Sequence, residues 1–432
     1  MNTHDPDRQE PPLVPDELYQ TFIGPYEFAS GRQILLTRKG LGEEALYFYA
    51  EDDSLIRLSP CSATQFVTDR GETLTFPVEQ AQADLLLQDA QGQVQQVWRV
   101  HSYEEEFVHF AGSDHHALAG SLLTPPGPGP YPAVVLYHLA NVHERDYYRI
   151  YAQHFVRQGI AALIYDKRGH GASTGEPLNS EIFELIEDAD AAFRFAQNHL
   201  AIDRHRVGVW GMSNGGWVDL GVAMRHPETA FVINLSASGV PPSRQEQIRR
   251  VNVSRLLGAQ PEQLRFLETF WQQAFTFLIH GEWTADLEAA LQRLHDDPEW
   301  RYLLKDTGVW LLDVPIDQFK GEYGGAWLDG SFDPAPLYAQ LRCPVLCLWG
   351  EEDTVLPVME SIACIQSALQ ASAHPDWTVR TFPHANHLLY LNRASADEQT
   401  NESLHEQLRD IQFPADLLEG MTSWVRQRLQ QP

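Results

Sequence analysis

The chain has few cysteines and no visible metal-binding or nucleotide-binding motif. Its four cysteines in 432 residues are too few for a disulfide framework. Cys343 and Cys347 fall in an apolar segment that is typical of a buried strand, which favours reduced core thiols. No set of Cys and His stands at ligand spacing, and no glycine-rich phosphate loop or dinucleotide fingerprint occurs. We therefore predict neither a metal nor an organic cofactor.

Positive charge is also scarce. The 31 Lys and Arg stand against 59 Asp and Glu, and the resulting formal charge of −28 argues against nucleic acid and anionic membranes as partners. No apolar run approaches the roughly 20 residues that span a bilayer, and residues 1–17 lack the pattern of a secretory signal. We expect a cytoplasmic protein that acts on a small molecule. A monomer and a homodimer both remain open.

The hydrophobic pattern divides the chain into segments of different type. Residues 1–20 are polar and rich in Pro and Asp, which is typical of a flexible tail. Residues 21–105 contain short alternating segments, such as 33–37, 45–49 and 94–100, separated by turn residues. This pattern predicts a small N-terminal all-β domain.

The remaining chain is typical of an α/β domain. Over 106–240 and 334–432, buried Val, Ile and Leu runs alternate with helical segments, which indicates a mostly parallel sheet with helices on both faces. The interval 241–333 shows no strand pattern. Its clearest feature is an amphipathic stripe at helical spacing: Leu267, Phe270, Trp271, Ala274, Phe275 and Leu278. We interpret it as a helical cap over the carboxyl edge of the sheet.

Ser213 is the strongest chemical signal. Residues 211–215 read Gly-Met-Ser-Asn-Gly, directly after the predicted strand 207–210 and before a helical segment. This is the form of a nucleophile elbow, a strand-to-helix turn so sharp that only small residues fit beside the serine. The serine is held in a strained conformation with its hydroxyl exposed. Ser213 is therefore the predicted nucleophile.

A serine hydroxyl needs a base within hydrogen-bond reach and an acid that orients the base. In this architecture the acid follows the serine and precedes the histidine. Strand 345–349 leads into an acidic turn, where Asp353 is preferred because Glu351 and Glu352 lie tighter against the strand end.

The next predicted strand, 378–382, is followed by two histidines. We prefer His387 over His384 as the base, because His387 stands at the far side of the turn beside an apolar pair. The oxyanion hole needs two backbone N–H donors. One comes from Asn214, the residue after the nucleophile. The other comes from the loop after strand 133–137, where Leu139 is the first choice and Ala140 the second.

Four segments resemble a known family: 165–175, 207–217, 350–357 and 382–388. They are similar to two-domain bacterial α/β-hydrolases of the serine-aminopeptidase-like and prolyl-oligopeptidase-like branch, of carboxylesterase type. The resemblance implies an α/β-hydrolase fold with Ser213 as nucleophile, Asp353 as orienting acid and His387 as base. It also implies a bracing role for the 166–175 loop, with Arg168 as a candidate contact to substrate. The chain departs from the family at His138-Leu139, where glycine usually follows the histidine. The Leu139 side chain is expected to narrow the acyl site.

Three functions fit these residues. The first is hydrolysis of short-chain carboxylic esters through a Ser-His-Asp triad and an acyl-enzyme. The second is an aminopeptidase or another small-peptide serine peptidase, which needs carboxylates near the cap to bind a free amine. The candidates for that role are Glu262, Glu268, Glu282 and Asp286. The third is a catalytically inactive binding relative, which an intact Ser, Asp and His set disfavours.

Overall fold

The computed structural model describes residues 14–40, 44–50, 52–77, 83–177, 181–392 and 410–430. Within these ranges the strands form two separate sheets, one antiparallel and one mostly parallel.

The antiparallel sheet is a small barrel made from the N-terminal quarter of the chain. Its elements are α1 (Asp16–Phe22), β1 (Gly24–Phe28), β2 (Gln33–Gly40), β3 (Glu44–Tyr49), β4 (Ser54–Pro60), β5 (Gln65–Val67), β6 (Thr73–Thr75), β7 (Leu85–Gln88) and β8 (Val94–Arg99). The strands follow the order β4-β3-β2-β1-β8-β7-β6-β5, and β5 pairs back onto β4 to close the ring. Closure removes the free strand edges that an open sheet would expose. Alternate strand residues such as Leu36, Leu46, Phe66 and Val97 fill the interior.

Helix α1 corrects the predicted tail. Residues 14–20 were expected to belong to a flexible segment, but most of them lie in α1, and residues 1–13 lie outside the described residues. Val14 and Phe22 are buried in the barrel core, and the Phe22 ring stacks on Phe76 with centroids 3.8 Å apart. Two apolar side chains within a polar segment are enough to anchor this short helix.

The second sheet has eight strands. They are β9 (Glu104–Ala111), β10 (Ala117–Thr124), β11 (Tyr131–Tyr137), β12 (Ala161–Tyr165), β13 (Ile202–Met212), β14 (Val232–Leu235), β15 (Val345–Gly350) and β16 (Trp377–Phe382). Their order is β16-β15-β14-β13-β11-β12-β10-β9. The six strands from β11 to β16 are parallel, and β10 is antiparallel to its neighbours.

Helices cover this sheet and fill one long connection. They are α2 (Arg149–Arg157), α3 (Ile182–Asn198), α4 (Gly215–Arg225), α5 (Pro242–Leu256), α6 (Pro261–His280), α7 (Ala285–Asp296), α8 (Glu299–Leu303), α9 (Ile316–Glu322), α10 (Ala335–Tyr338), α11 (Val358–Ala371) and α12 (Leu417–Leu429). Helices α2 and α12 pack in one core cluster of the sheet, whereas α3, α4 and α11 pack in another. Both faces of the parallel strands are therefore buried, which explains their continuous apolar runs.

Helices α5 to α9 lie in the interval predicted to be a helical cap. They surround their own core, in which Leu267, Phe270, Trp271 and Leu291 are almost fully buried. The predicted stripe on α6 supplies five of the buried residues of that core, because residues at this spacing share one helix face. The exact domain boundaries stay predictions.

Strand β17 (Asp410–Gln412) departs from the predicted domain assignment. The sequence placed 334–432 wholly in the α/β domain, yet β17 pairs with the first half of β4 in the barrel. Ile411 at its centre is buried in a cluster that also holds Leu35 and Leu55 of the barrel and Tyr151 of α2. This three-residue strand therefore ties the barrel to the second sheet.

We predict that Ile411→Ala weakens this connection. Removing a buried side chain of this size costs about 2–5 kcal/mol in the free energy of unfolding. The control is Leu200→Ala, since Leu200 is 98% exposed and its truncation should change the free energy by less than about 0.5 kcal/mol. Urea denaturation measures both. Equal, small losses in the two variants would show that β17 does not contribute to stability.

Candidate active site

Ser213 occupies a tight turn between β13 and α4. Its φ is 54°, in the left-handed region that a non-glycine residue rarely adopts. A Cβ on Gly211 would lie 2.1 Å from the Gly215 carbonyl oxygen, and one on Gly215 would lie 2.6 Å from that of Tyr137. Strand, turn and helix therefore approach so closely that both flanking positions require glycine. The predicted elbow has the expected geometry.

Three side chains that are distant in sequence meet at this turn. His387 Nε2 lies 2.9 Å from Ser213 Oγ, and His387 Nδ1 lies 2.7 Å from Asp353 Oδ2. Strands β13, β15 and β16 are parallel, so the loops that carry the three residues leave the same edge of the sheet. The sequence-predicted serine, acid and histidine are thus in mutual contact.

Asp353 is held in one orientation. Its side chain is fully buried, and Oδ1 accepts hydrogen bonds from the N–H groups of Val355 and Leu356 at 2.8 and 3.1 Å. The other oxygen is left for His387. Because an ionised carboxylate only accepts hydrogen bonds, His387 donates from Nδ1, and its Nε2 is left to accept from the serine hydroxyl.

The alternative candidates have other partners. His384 is exposed, and its Nδ1 lies 2.9 Å from Glu352 Oε1. Glu351 accepts a hydrogen bond from the hydroxyl of Thr381 at 2.7 Å. These contacts form a surface network beside the Asp353 turn and leave His387 as the histidine that contacts Ser213.

The structure changes the predicted choice of Leu139 as a backbone donor of the oxyanion hole. The Leu139 N–H donates to the Tyr148 hydroxyl at 2.9 Å, so it is already paired. Across the described residues, the N–H groups of Ala140 and Asn214 have no acceptor. Ala140, the second choice from the sequence, therefore replaces Leu139 as the available donor of this loop. No sequence pattern indicates that the Tyr148 side chain contacts this loop.

The 166–175 loop has the bracing contacts that the resemblance implied. The Asp166 carboxylate accepts hydrogen bonds from the backbone N–H groups of Arg145 and Ala172, and from the Arg145 guanidinium. Arg168 forms a two-point ion pair with Asp188 of α3, at 2.9 and 2.8 Å. Arg168 is outside the residues that line the cavity at Ser213, so the structure does not support it as a substrate contact.

A cavity of about 740 Å³ opens above Ser213. The sheet side contributes Leu139, Ala140, Asn214 and His387, and the helices α5 and α6 cover the opposite side. Its lining is mixed in character, with apolar and polar groups in similar measure. The charged lining residues are Glu246, Arg249, Arg250, Asp306 and Asp329.

The positive charges on this wall are partly neutralised within α5. Glu246 pairs with Arg249 at 2.7 Å and with Arg250 at 3.4 Å. Burial opposes ionisation of Glu246, but the two guanidinium groups hold its pKa below the usual value. Burial also lowers the pKa of Arg250 to about 10, and its guanidinium lies 4.4 Å from the centroid of the Trp271 ring.

The carboxylates suggested for amine recognition lie elsewhere. Glu262, Glu268, Glu282 and Asp286 are all exposed and do not line the cavity; Glu282 lies in the connection between α6 and α7, and the other three lie on helices. The acidic lining comes from Glu246, Asp306 and Asp329 instead. Polar positions on an amphipathic helix do not reveal which of them faces a site, so the sequence carried no signal for this choice.

Two further findings hold for the described residues. No group of three or more His, Cys, Asp or Glu side chains is arranged among them to hold one metal ion. None of the helices that they form is both long and apolar enough to cross a membrane.

Part of the chain is similar to a known family. Residues 129–310 match the family described as serine aminopeptidase, S33. That segment contains Ser213 and the strands that lead to it, within a sheet whose strand order is that of the α/β-hydrolase fold. The chain therefore has the α/β-hydrolase fold.

Individual relatives match this chain over shorter stretches. The polyketide transferase claH of Penicillium crustosum is 30% identical over 128 residues, which cover 28% of this chain and 41% of that protein. The quorum-quenching protein AidA of Acinetobacter baumannii is 35% identical over 104 residues, covering 24% and 34%. The chain thus spans between a third and a half of the length of these curated relatives. Among solved structures, the esterase Pf2001 of Pyrococcus furiosus is 15% identical, with a TM-score of 0.44 over 76% of this chain and 91% of that one.

The elbow geometry generates a stability prediction for Gly211→Ala. The new Cβ would clash with the backbone of Gly215, and overpacking of this kind costs about 3 kcal/mol or slightly less. Gly321→Ala is the matched control, because nothing lies within 4 Å of its added Cβ and helix α9 should gain about 0.5–1 kcal/mol. Thermal unfolding followed by circular dichroism should show a lower Tm for the first variant and an equal or higher Tm for the second. An unchanged Tm for Gly211→Ala would contradict the described turn.

Proposed function

We propose that this α/β-hydrolase cleaves short-chain carboxylic esters with Ser213 as nucleophile, His387 as general base and Asp353 as the orienting acid. The observation that supports the proposal is the unbroken hydrogen-bond chain from Asp353 through His387 to Ser213. The 2.9 Å between His387 Nε2 and Ser213 Oγ falls within the range over which a base removes a hydroxyl proton. Ser213 also lines a cavity that is large enough for a small substrate.

The reaction follows from this geometry in two halves. Ser213 Oγ attacks the ester carbonyl carbon while its proton passes to His387 Nε2, and the carbonyl electron pair moves onto oxygen. The N–H groups of Asn214 and Ala140 stabilise that oxyanion. His387 then returns the proton to the departing alkoxide as the C–O bond breaks. Water repeats the sequence on the acyl-enzyme and releases the acid.

The short-chain preference comes from the acyl side of the cavity. Leu139 is one of the residues that line the cavity, at the position where the resembled family usually carries glycine. We expect acetyl and butyryl esters to react faster than long-chain esters, because the latter need the space that Leu139 takes.

A second candidate, a peptidase acting on small peptides, is favoured by one specific observation. Asp306 and Asp329 line the cavity, and a carboxylate there suits a substrate ammonium group. Parallel assays with p-nitrophenyl butyrate and with aminoacyl p-nitroanilides discriminate the two functions. Turnover confined to the anilides would replace the ester proposal with the peptidase.

The proposal predicts that substitutions at two nearby histidines, His387 and His384, have very different effects on kcat. His387→Ala and Ser213→Ala should each reduce kcat for p-nitrophenyl butyrate by about 10⁴-fold or more, since both remove the activated nucleophile. His384→Ala, the matched control, should retain kcat within about twofold because His384 is exposed and contacts Glu352.

Labelling by a fluorophosphonate probe supplies a second readout. The wild type and His384→Ala should be labelled, whereas Ser213→Ala should not. Ester turnover that survives in Ser213→Ala, or that is lost in His384→Ala, would overturn the assignment of the nucleophile or the base.

A further inference from the structure

Lys167 is a buried cation that the mechanism above does not use. It is the second residue after β12, and only 1% of the residue is exposed. Its Nζ donates to the backbone carbonyl oxygens of Leu139 and Ala140, at 2.9 and 2.8 Å. Its own backbone N–H donates to the carbonyl of His143 at 2.8 Å. All three acceptors belong to the loop that carries Ala140.

The contact between Lys167 Nζ and the Leu139 carbonyl oxygen acts on the peptide group that joins Leu139 to Ala140. The carbonyl of Leu139 and the N–H of Ala140 belong to the same peptide unit. That unit is trans, since Gly129–Pro130 is the cis bond recorded along the described chain. In a planar trans peptide the N–H points opposite to the C=O. An ammonium group that fixes the Leu139 oxygen therefore also fixes the direction of the Ala140 N–H, which points away from Lys167.

The neighbouring peptide is fixed independently. The Leu139 N–H donates to the Tyr148 hydroxyl, so the loop is held on both sides of the Leu139 residue. Within the described part of the chain the Ala140 N–H has no acceptor, and Ala140 lines the same cavity as Ser213. A hydrogen bond from a charged donor also polarises the peptide it contacts, which makes the N–H at the other end a stronger donor.

We infer that Lys167 is a positioning residue for the acyl-transfer step, which it serves by aiming and polarising the Ala140 N–H toward the oxyanion. The inference rests on the proposed function, because it assigns a role to a group that matters only when a tetrahedral oxyanion forms. Lys167 itself does not touch the substrate; it acts through the Leu139–Ala140 peptide.

The charge of Lys167 depends on its surroundings. Burial lowers the pKa of the ammonium group to about 7, whereas the negative charge of Glu181 raises it. Burial also lowers the pKa of His143 to about 4 and that of His138 well below its usual value, so both rings are neutral at neutral pH. The His170 ring stacks on His143, with centroids 3.9 Å apart. As the pH rises through about 7, Lys167 keeps its N–H donors but loses its charge, and its hydrogen bonds to the loop weaken.

The test is Lys167→Met, which keeps the length of the side chain and removes the charged donor. Loss of one oxyanion donor typically costs about 10²–10³ in kcat, and misdirection of one should cost part of that, about 10–10²-fold. KM for p-nitrophenyl butyrate should stay within twofold. The affinity for a trifluoromethyl ketone, which forms the oxyanion adduct, should fall by the same factor as kcat, while inhibition by butyrate should not change. Lys320→Met on α9 is the control, since Lys320 is exposed and outside the cavity lining.

The outcomes separate this inference from the proposed function. If the wild type neither hydrolyses the ester nor reacts with the fluorophosphonate probe, both the proposed function and the positioning role of Lys167 are overturned. A labelled, active wild type with an unchanged kcat in Lys167→Met would remove the positioning role alone. Equal losses of ketone and butyrate affinity would assign Lys167 a general structural role and would also overturn the inference.

If Lys167→Met does not fold, the pH dependence of the wild type supplies the test. Its kcat should decline several-fold on the alkaline side with a midpoint near pH 7, because catalysis needs the charged ammonium. A kcat that is constant from pH 6.5 to 9 would overturn the inference.

Discussion

The close approach of β13 to α4 at Ser213 is the constraint on which the rest of the site depends. The strand ends against the backbone of the helix that follows, so the residue between them has a φ of 54° and its hydroxyl faces the cavity. Such a conformation costs about 1–3 kcal/mol and persists only where the surrounding structure enforces it. Here the sheet, with strands buried on both faces, supplies that enforcement.

The same sheet explains how groups separated by 174 residues come into contact. Parallel strands deliver the loops after β13, β15 and β16 to one edge, and the loop after β11 arrives there as well. Each loop is then fixed by its own hydrogen bonds: Asp353 by two backbone N–H groups, and the loop at Leu139 by Tyr148 and Lys167. A preorganised set of donors and acceptors is what electrostatic catalysis requires.

Much of this arrangement could be predicted from the sequence. The strands predicted at 161–165, 345–349 and 378–382 and the helix at 215–226 match the structure within a residue or so, because buried β-branched runs and helical periodicity are strong local signals. The contact of Ser213, Asp353 and His387 also agrees with the order expected along the chain.

The differences arise where tertiary contacts outweigh local pattern. Helix α1 depends on Val14 and Phe22 reaching the barrel core, and β17 is a three-residue strand defined only by its partner β4. Leu139 was preferred as oxyanion donor because the sequence does not show that Tyr148 takes its N–H. The charged residues of the cavity wall were also not predicted, since a helical pattern does not reveal which polar side chains lie near Ser213.

The most direct measurement is a crystal structure of the protein after reaction with a fluorophosphonate. The account predicts a covalent bond between phosphorus and Ser213 Oγ, with the phosphoryl oxygen within about 3.1 Å of the N–H groups of both Asn214 and Ala140. An adduct on a different residue, or a phosphoryl oxygen turned away from both N–H groups, would contradict it.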